Sequence, residues 1–158
     1  MRIAKIVKND IINGEGVCVA LFTQGCPHRC KGCFNPETWW FTGGQEVSER
    51  WVFNQLCEAI SANGIQRNLS ILGGEPLCPE NVQSVKTIIE AIKEKYPTIK
   101  IFLWTGYVIE NFNDEQKEVA KLVDVLIDGP YVEELKDVSL HLRGSSNQRV
   151  LRNELTLK

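Results

Sequence analysis

Short apolar runs alternate with helical apolar stripes along this chain, and that alternation constrains its fold more than any other feature. Residues 2–7 read as a first strand, Asn13-Gly14-Glu15-Gly16 as a turn, and 17–22 as a second strand, the longest unbroken apolar run. A helix is predicted to start near Ser48, with Val52, Leu56, Ala59 and Ile60 on one face and Gly64 as its stop. Residues 69–72 form a short strand. Val82, Val85, Ile88, Ile89 and Ile92 make a second helical stripe after Asn81, and Pro97 blocks its continuation. Residues 99–104, apolar except for Lys100, have the look of a parallel strand covered on both faces. A third helix over Asp114–Leu122 and a strand over 123–127, ending at Asp128-Gly129-Pro130, complete the series.

Strand and helix in alternation imply right-handed crossovers and a mostly parallel sheet, so the expected class is α/β. A complete eight-fold β/α barrel takes roughly 250 residues. The chain has 158, so the expectation is one domain over 1–158 and, if a barrel, a partial one. The eighteen basic and twenty acidic residues leave a net charge of −2, which offers nothing to nucleic acid or an acidic membrane surface. No apolar run approaches the ~20 residues of a membrane span. Charges at positions 2, 5, 8 and 10 leave no signal-peptide core, so a cytoplasmic location is expected.

In such sheets ligands sit at the carboxyl ends of the strands. The segments just past the predicted strands are 25–33, 73–76, 105–107 and 128–130, the least ordinary in the chain. The first of them carries Cys26, Cys30 and Cys33 at C-x3-C-x2-C spacing. A structural zinc site wants four ligands, and here His28 or a remote cysteine would have to supply the fourth. A 4Fe–4S cluster held by three thiolates instead leaves one iron free to bind something else. A ligand site is expected after a buried strand and a zinc knuckle is not, which favours the cluster. Cys18, Cys57 and Cys78 are expected to be small buried hydrophobes.

The loop resembles that of the radical S-adenosylmethionine (radical SAM) enzymes, and Gly73-Gly74-Glu75-Pro76 resembles their Gly-Gly-Glu segment. The resemblance narrows to the glycyl-radical activases of anaerobic ribonucleoside-triphosphate reductase. It rests there on Asn13-Gly14-Glu15-Gly16, on Cys30-Lys31-Gly32-Cys33-Phe34-Asn35 and on Trp104-Thr105-Gly106-Tyr107. Most specific are residues 124–130 and Leu142-Arg143-Gly144-Ser145-Ser146-Asn147-Gln148-Arg149. Glu15 departs from the pattern, where proline is expected.

The resemblance implies a compact, incomplete β/α barrel of the radical SAM type. Cys26, Cys30 and Cys33 would hold a 4Fe–4S cluster whose fourth iron chelates S-adenosylmethionine. Reductive cleavage would release a 5′-deoxyadenosyl radical, which abstracts a hydrogen atom from a glycine of the reductase large subunit. Gly73 and Gly74 would let the backbone approach the methionine moiety, and Glu75 would take its ammonium group. Gly32, Cys33 and Phe34 would line the adenine, with Phe34 stacking. Thr105 and Asp128 would reach the ribose hydroxyls, or else serve only as caps and turns.

His28 is expected to face solvent or support a ligand rather than bind iron. Trp39-Trp40-Phe41 is expected either to dock the partner or to close over the sheet. Arg143 and Arg149 would bind the cofactor carboxylate or the partner. An external electron donor such as flavodoxin and a homodimer are also implied. The competing readings are another radical SAM enzyme, such as a different glycyl-radical activase or a deazapurine synthase, and a non-catalytic zinc-binding module.

Overall fold

Residue alternation along the central strands decides which side of the sheet the helices cover. In the computed structural model, which describes residues 1–153, seven strands form one sheet in the order β3-β1-β2-β4-β5-β6-β7. They are β1 (Arg2–Asp10), β2 (Cys18–Thr23), β3 (Gln45–Glu46), β4 (Asn68–Gly73), β5 (Ile101–Trp104), β6 (Val125–Asp128) and β7 (Arg149–Arg152). The four central strands, β2-β4-β5-β6, are parallel, and β1, β3 and β7 add antiparallel pairs at the flanks. Residues 154–158, the end of the expected domain, lie outside the described residues.

Helices α1 (Glu49–Ile60), α2 (Val82–Lys95) and α3 (Asp114–Leu122) fill the crossovers between successive parallel strands. The strand order advances in one direction only, so crossovers of one hand place all three helices on one face. Val19, Leu21, Leu69, Ile71, Ile101, Leu103 and Leu126 point to that face and join the helical stripes in one core. Their neighbours Ala20, Phe22, Leu72, Phe102 and Ile127 alternate to the opposite face, as the two-residue period of a strand requires. That second face carries no helix among the described residues and is left for the site.

The three helices fall where their stripes predict. The Ser48 hydroxyl caps α1 by accepting the Trp51 N–H at 3.0 Å, and Asn113 and Gln116 form a reciprocal capping box at α3. The sheet corrects the reading at its margins. β5 begins at Ile101 rather than 99 and β6 at Val125 rather than 123. The two-residue β3 and the half-buried β7 were not predicted. β3 is exposed and too short for a period, and Arg149 and Arg152 at the ends of β7 hide its pairing with β6.

Candidate functional site

The carboxyl ends of β2, β4, β5 and β6 open onto one cavity of about 550 Å³, ordinary for a small-molecule site. Cys26, Cys30 and Cys33 all line it, together with Gly73, Gly74 and Glu75 from the end of β4. The cysteine loop leaves β2 and bends through left-handed backbone at Arg29 (φ 49°) and Gly32 (φ 75°). It is pinned by Gly25 N–H donating to the Thr38 carbonyl at 2.7 Å and Cys26 N–H to that of Trp39 at 3.1 Å. All three thiols are free, and the Asn35 N–H donates to Cys33 Sγ at 3.3 Å. Burial pushes the Cys26 and Cys30 thiols up, so a thiolate there depends on a metal's charge.

The donor set fits an iron–sulfur cluster. Among the described residues no three His, Cys, Asp or Glu side chains converge as one metal ion would require. A cubane puts no such demand on the loop, because each thiolate meets a different iron. Cys18, Cys57 and Cys78 are buried and stand apart from the cavity, as expected of small hydrophobes. Burial drives the Cys78 thiol up to about 12, which keeps it protonated and inert.

The glycines before Glu75 make a close contact within the protein itself. A Cβ on Gly73 would lie 2.7 Å from Thr23 N, and one on Gly74 would lie 2.4 Å from the Gly25 carbonyl oxygen. The close approach is thus between the β4 end and the root of the cysteine loop, and both glycines line the cavity besides. Gly32 is not among the lining residues: a Cβ there would meet the Glu133 side chain at 2.6 Å. Phe34 lines the cavity, is 60% exposed and lies 5.0 Å from the Tyr131 ring.

Glu75 is 1% exposed and its carboxylate is fully engaged within the protein. Oε1 accepts from Leu77 N–H at 2.9 Å and Thr105 Oγ1–H at 2.8 Å. Oε2 accepts from Gly106 N–H at 2.7 Å and stands 2.8 Å from His28 Nε2. These four contacts fill the acceptor positions of the carboxylate, and Thr105 Oγ1 also accepts the Tyr107 N–H at 3.2 Å, the turn role that was the alternative for it. His28 lines the cavity and, rather than facing solvent, reaches Glu75.

Of the two roles expected for Asp128, the structure shows the capping one. It is fully buried, does not line the cavity, and accepts from Arg149 Nε at 2.9 Å and from Ile109 N–H at 2.9 Å. Arg149 bridges it to Glu110, which leaves Arg143 as the arginine of that segment facing the cavity. The Arg143 Nε is buried without a hydrogen-bond partner. The aromatic run divides three ways. Trp39 lines the cavity, Trp40 is 57% exposed under the Arg29 guanidinium, and Phe41 packs beneath Gly25.

Sequence reasoning missed Tyr131 and Leu142 in the lining, although Tyr131 directly follows the strand-end Asp128-Gly129-Pro130. It also missed the reason for Glu15. In place of proline, Glu15 pairs with Arg152 and His141 and ties the turn before β2 to the last strand.

A mostly parallel sheet with its helices on one face, and three free thiols in one loop at its strand-end cavity, defines an α/β protein whose thiols suit an iron–sulfur cluster. The family described as "4Fe-4S single cluster domain" matches residues 12–151. The anaerobic ribonucleoside-triphosphate reductase-activating protein of Escherichia coli K12 is 40% identical over 142 residues, spanning 89% of this chain and 92% of that protein. The protein of the same name from Haemophilus influenzae is 37% identical over 159 aligned positions, covering 98% and 100%, and that of phage T4 is 39% identical over 153, covering 97% and 95%. This chain belongs to the family of anaerobic ribonucleoside-triphosphate reductase-activating proteins.

Proposed function

We propose that the protein activates anaerobic ribonucleoside-triphosphate reductase by generating a glycyl radical on its large subunit. The observation that carries this reading is the position of Cys26, Cys30 and Cys33 beside Gly73-Gly74-Glu75 in one cavity at the strand ends. Cys26, Cys30 and Cys33 are read as the ligands of one 4Fe–4S cluster, with S-adenosylmethionine as the second cofactor. When bound, these groups supply a reductive cleavage yielding methionine and a 5′-deoxyadenosyl radical, which takes a hydrogen atom from the glycine.

The chain's own residues bind, orient and exclude water. Phe34 offers an aromatic face for the adenine, supported at its edge by Tyr131 and next to Cys33. Arg143 is suited to the methionine carboxylate, because its guanidinium borders the cavity with Nε unpaired. Gly73 and Gly74 present bare backbone to the methionine moiety. Leu142 and Gly144 shield the far side from water, held by Gln148, whose Oε1 accepts from Gly144 N–H at 2.9 Å.

The glycine-bearing chain must enter at the cavity mouth. Ile12 and Val138 border it with 81% and 87% of their surface exposed. Isolated exposed apolar residues are ordinary, but two bordering one cavity suit a partner's peptide segment. An external electron donor such as flavodoxin, a homodimer and a cytoplasmic location complete the reading; no helix of the described residues is long and apolar enough to cross a membrane. We read residues 1–158 as one domain and the sheet as a partial β/α barrel, because its helices share one face and its cavity occupies the other.

The test is anaerobic incubation with the reductase, S-adenosylmethionine and a reductant, followed by EPR. A radical signal on the reductase that broadens with ¹³C-labelled glycine supports the reading. Turnover of S-adenosylmethionine with no radical on the partner points to another radical SAM activity.

A further inference from the structure

We propose that His28 and Glu75 form a lock that sets the cysteine loop against the strand ends, and that Thr105-Gly106-Tyr107 is the seat of that lock. The proposal rests on the activase reading for its meaning, although the contact itself belongs to the protein alone. It makes Glu75 a positioning residue rather than the group that receives the cofactor's ammonium.

Glu75 draws hydrogen bonds from three parts of the chain. Leu77 lies on its own turn, Thr105 and Gly106 just past β5, and His28 between two of the thiols. Of these only His28 comes from the cysteine loop, 47 residues away in sequence. The 2.8 Å separation of Nε2 from Oε2 is that of a hydrogen bond between the two side chains. With Glu75 1% exposed, water does not compete for this bond.

The imidazole is also held by shape. A Cβ on Gly106 would lie 2.6 Å from His28 Cδ2, so only glycine leaves room for the ring. Tyr107 closes the other side edge-on, with ring centroids 4.6 Å apart and planes at 71°. Each residue of the Thr-Gly-Tyr segment therefore serves the same contact. Thr105 bonds the carboxylate, Gly106 bonds it and clears space, and Tyr107 confines the ring.

The experiment compares wild type, His28→Leu, His28→Gln, Gly106→Ala and Glu75→Gln as full chains. The first readout needs no cluster: trypsin cleavage after Arg29 and Lys31, two exposed sites within the loop, in metal-free protein. Under native conditions cleavage follows the open population of the loop. Loss of a hydrogen bond to a charged group predicts roughly tenfold or faster cleavage for His28→Leu, Gly106→Ala and Glu75→Gln, with global Tm near that of wild type. His28→Gln keeps an N–H donor and is expected to recover part of the loss.

The second readout is the EPR spectrum of the reconstituted, reduced proteins titrated with S-adenosylmethionine. The lock predicts an altered cluster spectrum before the cofactor is added, shared by His28→Leu and Glu75→Gln. Cleavage rates and cofactor-free spectra equal to wild type would overturn the lock, and a weaker S-adenosylmethionine titration in Glu75→Gln alone would return Glu75 to the ammonium. Wild type that takes up no cluster would sink the activase reading and leave the cleavage comparison standing.

Discussion

Gly74 lies against the carbonyl of Gly25: a Cβ on residue 74 would stand 2.4 Å from that oxygen, which accepts the Glu75 N–H at 2.8 Å. The two backbones meet because neither residue has a side chain, and the contact joins the β4 end to the root of the cysteine loop. Gly74→Ala must part them. Overpacking of this kind costs about 1–3 kcal/mol. We expect a matching fall in urea stability and reduced iron uptake on reconstitution. Gly16→Ala is the comparison, since its Cβ meets nothing within 4 Å and carries only the left-handed backbone penalty of roughly 1 kcal/mol. Equal losses in stability and iron uptake for the two variants would contradict the contact's importance.

Asp128 is a buried charge whose cation is Arg149. Arg149→Met strips that partner, and unpairing a buried charge costs about 3–5 kcal/mol. Arg149 is itself partly exposed, so the lower end of that range is expected in urea unfolding. Asp128→Asn removes the charge as well and is expected to cost less. Because Asp128 lies off the cavity, Asp128→Asn should leave the affinity for S-adenosylmethionine within twofold of wild type. A tenfold loss would restore the ribose contact that its position at a strand end suggests.

The Glu15 pairing sets a pH dependence. The hydrogen bond from Arg152, assisted by His141, holds the Glu15 carboxyl at about 2, below its ordinary value of 4.5. A depressed carboxyl contributes stability that is present above 4.5 and is lost as the pH falls from 4.5 towards 2. Glu15→Gln should therefore lower stability at pH 7, by up to about 1 kcal/mol for so accessible a pair. The gap to wild type should close as the pH approaches 2. Urea midpoints at pH 7, 4 and 3 check this, and a gap that widens on acidification would contradict the pairing.

Ile12 and Val138 border the cavity with most of their surface exposed. Ile12→Asp and Val138→Asp are expected to raise the KM for the reductase several-fold while iron content and the response of the cluster to S-adenosylmethionine stay unchanged. Steady-state activation assays alongside EPR separate these effects. A loss of cluster in either variant would show that the rim supports the site rather than the partner.

The site's address was legible in the sequence, and most of its wiring was not. Strand ends can be read from local periodicity, which is why 25–33 and 73–76 fall together as expected. Which donors reach Glu75 depends on residues 28, 105 and 106, and no local pattern pairs them. Asp128 looked available because β7, which brings Arg149 over it, has charged ends and no fully buried residue to mark a strand. The glycines of the Gly-Gly-Glu segment were recognisable as a close approach. That the approaching chain is the protein's own loop follows only from the parallel register of β2 and β4.

Cys26, Cys30 and Cys33 are read as the ligands of an open-iron cluster. The most direct measurement is iron, sulfide and zinc content after anaerobic reconstitution, with EPR of the reduced protein with and without S-adenosylmethionine. Such a cluster predicts about four irons and four sulfides per chain, a spectrum altered by the cofactor, and loss of both on Cys30→Ala. One tightly held zinc per chain, no cluster and no response to S-adenosylmethionine would contradict it.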